Sequence, residues 1–325
     1  MLRVHFTSED LVRVRVAPGP DFLWEIGNSV QTLQRRDGGR VFGEWRRWAA
    51  PRLSGGARTL AQLLPPRGYS PDFLTPATGD RSTLPAAVDT LLSTPRARLR
   101  ADLARLAGTR QLPSWAAALA DGDPGTLRLL GRAVHTYHQE ALAPLWRLLQ
   151  DRIEADRAHR LHSLLEGGTE GLLTGLGPQF RWRPPVLEVA YPVEQQLHLR
   201  GRGLVLQPSF FCWPAPVMPA DPELPPVLVH PIRHDTGWAT PPPEGRAADG
   251  ALGPLLGHTR AAVLRAAGAG CSTVELARLL DVTHPAVSQH LRVLRAAGLV
   301  TTVRAAGRSF HVATAEGRAL LGTGP

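Results

Sequence analysis

Apolar residues change their spacing twice along this chain, and each change marks a new kind of structure. From Thr7 to about Leu176 they recur at about the helical period of 3.6 residues. Thr7, with Asp10 three residues on, forms a capping-box variant that opens a short helix. Asp21 caps a second helix carrying Phe22, Leu23, Trp24, Ile26, Val30 and Leu33. Helical spacing continues over 45–50, 57–64, 84–92, 95–106 and 114–120. A longer run from Asp123 spaces Leu127, Leu130, Val134, Leu142, Leu145 and Leu148 along one helix, which Pro144 should kink or divide. Gly167, Gly168, Gly171, Gly175 and Gly177 follow no strand, so they read as a loosened helix end rather than a phosphate cradle.

Beyond Gly177 the pattern becomes short and alternating, over 180–183, 186–191, 195–200, 204–211 and 227–232. With Gly201-Arg202-Gly203 as a hairpin turn, this spacing predicts an antiparallel β-meander covering one face of the helices. Residues 1–239 therefore read as one domain, helical to about 176 and β-rich over 177–235. Three consecutive prolines at 241–243 cannot extend a helix or a central strand, so 240–250 reads as a linker.

The pattern changes again after the linker. Residues 257–267 carry Ala261, Val263, Leu264 and Ala267 as a first helix ending at Gly268. Ser272 and Glu275 form a capping box that opens a helix with Leu276, Leu279 and Leu280 on one face. Asp281, Val282 and Thr283 make a turn, Thr283 caps the next helix, and Pro285 gives up an N–H that lacks a partner anyway. That helix, 284–297, puts Val287, Leu291 and Leu294 on one stripe and Pro285, Ser288, Gln289 and Arg292 on the other. A β-hairpin follows Gly298, with Arg304 and Arg308 on either side of a turn at 305–307. The order is that of a winged helix-turn-helix, giving an α+β chain with a small C-terminal domain at 251–325.

In such a domain one stripe anchors the recognition helix and the other enters the major groove. Gln289 suits bidentate bonding to adenine, and Arg292 suits guanine or phosphate. Ser288 and His284 suit phosphate or base edges, and Arg304 or Arg308 can follow the backbone or enter the minor groove. The ordinary alternative is a solvated polar helix face. Charge favours DNA: the chain carries 37 arginines, no lysine and a net +9. Residues 251–325 hold eight of those arginines against Glu275, Asp281 and Glu316, a net +5 in under a quarter of the length. The absence of lysine reads as a GC-rich coding sequence rather than as chemistry.

Residues 258–321 resemble the winged helix of ArsR-family bacterial transcriptional regulators, and 287–300 (VSQHLRVLRAAGLV) follow that family's recognition helix and wing start almost residue for residue. The resemblance implies a homodimer on a pseudo-palindromic operator in double-stranded DNA, usually a repressor released by an effector. Phe6–Leu11 and Asp21–Glu25 further resemble the start of an N-terminal domain of some actinobacterial ArsR-like regulators. Two departures matter. The Cys-x-Cys of the family's arsenic and cadmium sensors is represented by Cys271 alone, and the C-terminal helix at 314–321 offers Glu316 without a His or Asp pair. Metal sensing at either family site is therefore not expected.

The remaining composition narrows the reading further. At 43% hydrophobic and 20% charged residues, the chain can bury substantial cores, and its 30 Pro and 32 Gly are dispersed. Cys212 and Cys271, the only cysteines, exclude a disulfide framework and a cysteine zinc site. No apolar run of about 18 residues suggests a membrane span, and Glu9 and Asp10 interrupt any signal-peptide layout, so a cytoplasmic location is expected. His135 with His138, and His159 with His162, have a spacing that can hold a metal, but no third ligand accompanies either pair. His290 reads as a structural residue. The eight tryptophans all precede the linker; core anchoring accounts for most, and an aromatic ligand pocket for a few. With no nucleophile elbow, supported carboxylate pair or metal signature, we expect no enzyme and no cofactor. The expected function is a dimeric, sequence-specific DNA-binding repressor controlled by a small-molecule effector through residues 1–239. The alternative is an N-terminal enzyme or small-molecule-binding module with the winged helix as a regulatory or protein-contact appendage.

Overall fold

The computed structural model describes residues 1–77, 83–234, 238, 253, 255–280, 282–305 and 308–321, apart from the side chains of 269, 304, 305, 308, 315, 318 and 319. The chain forms two compact units, Met1–Thr240 and Pro241–Pro325. The expected linker at 240–250 lies outside the described residues.

The first unit opens with β1 (Leu2–His5), α1 (Ser8–Val12) and β2 (Arg15–Val16). Helices α2 (Phe22–Gln34), α3 (Gly39–Ala49), α4 (Gly55–Leu63), α5 (Leu84–Leu92), α6 (Arg96–Ala107), α7 (Ala116–Ala120) and α8 (Pro124–Tyr137) follow. At Pro144 the expected junction is a π-helical turn, His138–Leu142, then a 3₁₀ turn, Ala143–Leu145. These absorb the missing proline N–H before α9 (Trp146–Thr174) resumes. Gly168 departs from helical geometry within α9, as its glycine pair suggested. The helices enclose one core around Phe42, Trp45, Phe73 and Tyr137. The Trp45 indole N–H in that core donates to the Ala141 carbonyl at 3.3 Å.

Five strands follow: β3 (Phe180–Arg183), β4 (Val186–Val189), β5 (Gln195–His198), β6 (Val205–Ser209) and β7 (Val227–Pro231). They do not form the expected antiparallel meander. β1 inserts between β4 and β5 to give the order β3-β4-β1-β5, antiparallel to β4 and parallel to β5. A separate, all-parallel sheet has the order β2-β6-β7. The turn at 201–203 is accordingly a crossing between two sheets rather than a hairpin. Asp10 fixes it: the buried carboxylate accepts the Thr7 N–H at 2.8 Å and the Gly203 N–H at 2.9 Å. These amide bonds hold Asp10 below the usual carboxylate range although burial opposes them. Leu2, Val4, Leu187, Leu206 and Leu228 join Leu172 and Leu173 of α9 in a second core between the sheets and the helix.

The second unit comprises α10 (His258–Ala266), α11 (Thr273–Leu280), α12 (His284–Ala296), β8 (Val300–Ala305), β9 (Arg308–Ala313) and α13 (Ala315–Leu320). A 3₁₀ turn, Ala267–Ala269, extends the first helix past the expected stop, and Gly270 at φ 77° breaks it instead of Gly268. Val263, Leu264, Leu276, Val287, Leu291, Leu294 and Val300 form its core. Among the described residues no helix is long and apolar enough to cross a membrane.

Candidate nucleic-acid interface

Helix α11 begins with the capping box its sequence announced. The Ser272 N–H donates to Glu275 Oε2 at 2.8 Å, and the Glu275 N–H donates to Ser272 Oγ at 3.3 Å. A bond from the Val282 N–H to the Ala277 carbonyl, 3.1 Å, closes its far end. Asp281 of the turn lies outside the described residues. Thr283 adopts the extended backbone of an N-cap, φ −71° and ψ 150°, yet its hydroxyl makes no capping bond. The first turn of α12 thus relies on Pro285 and on solvent for its open amides.

Along α12, Val287, Leu291 and Leu294 are buried, while His284, Pro285, Ser288, Gln289 and Arg292 are all exposed. The structure therefore gathers five of the seven sequence-selected residues on one open stripe. No acid occupies the first turn of α12, and the positive end of a helix dipole is a setting that favours phosphate. Gly298 ends the helix in the left-handed region, φ 71°. The Leu299 N–H donates back to the Leu294 carbonyl at 2.9 Å and the Gly298 N–H to the Arg295 carbonyl at 3.0 Å, a Schellman closure that turns the chain into β8.

Arg304 and Arg308 fall in β8 and β9 near the free end of the hairpin, where Arg304 pairs with Ser309 and Ala305 with Arg308. Their side chains and the turn residues Ala306 and Gly307 lie outside the described set.

The root of the hairpin holds what sequence reasoning missed. Cys271 and His311 exchange both backbone hydrogen bonds, 3.2 and 2.8 Å, giving the hairpin a third, one-residue strand. The buried His311 ring spans the gap between α11 and β8, with Nε2 2.9 Å from Thr273 Oγ1 and Nδ1 3.0 Å from Thr302 Oγ1. Burial, and then the Arg295 charge, hold this imidazole below the ordinary histidine range, favouring its neutral form. Only the alternation at 308–313 could have signalled it. His290 is half-buried, and its Nδ1 has no hydrogen-bond partner among the described residues.

Of the paired histidines of the first unit, His135 is exposed and His138 buried, while His159 and His162 are both exposed. Among the described residues no group of three or more His, Cys, Asp or Glu side chains could hold a metal ion.

Residues 257–303 match the family described as a helix-turn-helix domain, a span running from the start of α10 into β8. No curated protein and no solved structure matches the chain. The second unit is therefore a helix-turn-helix domain, which supports a DNA-binding regulatory role.

Proposed function

We propose that this protein is a dimeric, sequence-specific transcriptional regulator of the ArsR type, acting as a repressor whose DNA affinity is set through its first unit. The observation that carries the reading is the division of α12, with Val287, Leu291 and Leu294 buried and Ser288, Gln289 and Arg292 exposed. This division supplies what major-groove entry requires, and the net +5 of residues 251–325 supplies the attraction. The role of residues 1–239 is binding rather than catalysis: they provide dimer contacts, effector sensing or both. Dimerisation fixes the separation of two recognition helices, so an effector that alters this separation weakens both half-sites together. With a lone Cys271 in place of the family's Cys-x-Cys, the effector acts on the first unit rather than as a metal on α11.

The test is fluorescence anisotropy of the full chain against its own upstream DNA and a scrambled duplex over a salt series. The expected result is tighter binding to the native duplex with a steep loss of affinity as salt rises. Equal, weak and salt-erased binding to both duplexes overturns the proposal.

A further inference from the structure

We infer that the first unit carries a binding site for a small organic anion with a flat aromatic body, in a cleft floored by the parallel sheet. The cleft encloses about 890 Å³, at the upper end of the 300–1,000 Å³ range usual for small-molecule sites.

The sheet builds the floor through its register. Arg15 of β2 lies beside Val205 of β6, which lies beside Val227 of β7, and all three line the cleft. Side chains alternate across a strand, so Leu206 and Leu228 point the opposite way, into the second core. One face of this small sheet thus packs into the second core, and the other meets the cleft at Arg15, Val205, Gln207 and Val227.

Aromatic rings supply the walls. Phe22 and Trp146 stack face to face, centroids 4.3 Å apart and planes within 7°, and both line the cleft together with Trp24 and Phe73. Such surfaces favour a planar apolar body.

The charge balance sets the sign of the ligand. Among the described residues, three arginines line the cleft, Arg15, Arg98 and Arg157, against two acids, Asp21 and Asp72. Both acids are engaged by backbone amides. Asp21 caps α2 by accepting from the Leu23 and Trp24 N–H groups at 2.9 and 3.0 Å. Asp72 takes the Ala220 and Asp221 N–H groups, one on each oxygen, at 2.8 and 2.9 Å. The arginines are less committed. Arg15 has no ion-pair partner among the described residues, and Arg98 reaches Asp221 only at 3.5 Å. Arg157 pairs with Glu154 through Nη1, and its buried Nε has no hydrogen-bond partner among the described residues. An incoming carboxylate or phosphate can bond a cleft guanidinium as a fork that lysine could not present. The inference names the ligand class for the sensing role given to the first unit above and rests on that reading.

Isothermal titration calorimetry on the full chain decides it, with 2-naphthoate, 1-naphthyl phosphate and the uncharged 2-naphthamide as probes. One saturable site per chain is expected for at least one anion, and the better of the two identifies the headgroup as carboxylate or phosphate. Loss of a charge-assisted bond should weaken the amide, and the Arg15→Gln/Arg98→Gln variant toward the anions, by about tenfold or more. The same variant should bind naphthamide as the parent does, and Arg98→Lys should recover only part of the anion affinity. A melting curve followed by tryptophan fluorescence identifies any variant that fails to fold, and the anion-over-amide preference of the unaltered chain needs no variant. No saturable binding of either anion, equal binding of acid and amide, or a folded double variant indistinguishable from the parent overturns the inference. The titration contains no DNA, so it stands or falls separately from the operator-binding test.

Discussion

A side-chain amide at Gln289 offers a donor and an acceptor from one rigid plane, and its exposed place on α12 leaves both available to a base edge. Gln289→Ala should therefore relax preference at one base position, by about 1–3 kcal/mol of discrimination. Arg292→Ala, where phosphate is the partner, should weaken all duplexes alike and flatten the salt dependence. Anisotropy across single-base operator variants separates the two, and a uniform loss from Gln289→Ala would remove its readout role. Two glycines test the backbone in the same spirit. Gly298 (φ 71°) has open space where a Cβ would sit, so Gly298→Ala adds only left-handed strain, about 1–2 kcal/mol. At Gly203 (φ 72°) a Cβ would lie 2.5 Å from both Cβ and O of Arg13, adding a backbone collision to the same strain. Urea unfolding should rank Gly203→Ala well below Gly298→Ala in stability. The sequence placed Gly203 in a turn and Gly298 just before the wing hairpin. It could not rank them, because the collision at Gly203 comes from a residue far away in the chain.

Elements defined by local signals were legible, and those defined by distant partners were not. The capping boxes at Thr7 and Ser272, the Pro144 junction and the stripe of α12 all depend on residues within a turn or two of one another. β1 and β2 are four and two residues long, and their strand character comes from pairing with β4, β5 and β6 across most of the unit. The same long-range packing creates a pH response that the sequence did not show. Glu25 in α2 is fully buried, and burial pushes it up to about 7 although the Phe210 and Phe211 N–H groups favour its ionised form. Its folded value lies above the unfolded one, so its contribution is complete below pH 4.5 and is lost as pH rises through about 7. His138 in the π-helical turn packs against Phe22 and Trp146, and neither ring nitrogen has a hydrogen-bond partner among the described residues. Burial, then the charge of His135, bring it down to about 4, so its contribution is complete above pH 6.5 and is lost as pH falls toward 4. The stability gap between the protein and His138→Phe should therefore widen as pH rises from 4 to 6.5, while the gap to Glu25→Gln narrows from 4.5 to 7. Each slope is at most about 1.4 kcal/mol per pH unit, one proton's worth. Tryptophan fluorescence during urea unfolding reads this directly, because all eight tryptophans lie in the first unit. Parallel pH profiles for the protein and His138→Phe would rule out the histidine's part.

On the scale of the whole molecule, composition already separated a tryptophan-rich first unit from a small basic second one. The cleft escaped that reading because its lining comes from β2, α2, α5, α6, α9, β6 and β7, which no window of sequence brings together. The proposed operator recognition has the same long-range character, since a dimeric regulator needs two copies held at one separation. A two-fold dimer presents its recognition helices to half-sites about 10–10.5 bp apart or at multiples of that spacing, each facing the same side of the duplex. Inserting about 5 bp between the half-sites rotates one of them to the far side of the helix, and inserting about 10 bp restores its face. Anisotropy on this series should show strong binding, loss to the level of a single half-site, and partial recovery. The recovery is only partial, because the second half-site returns in phase but lies a full turn further along the axis than the dimer was built to span. Affinity that ignores spacing would mean that each winged helix binds alone; control of DNA binding would then have to act within a single chain rather than through the separation of two.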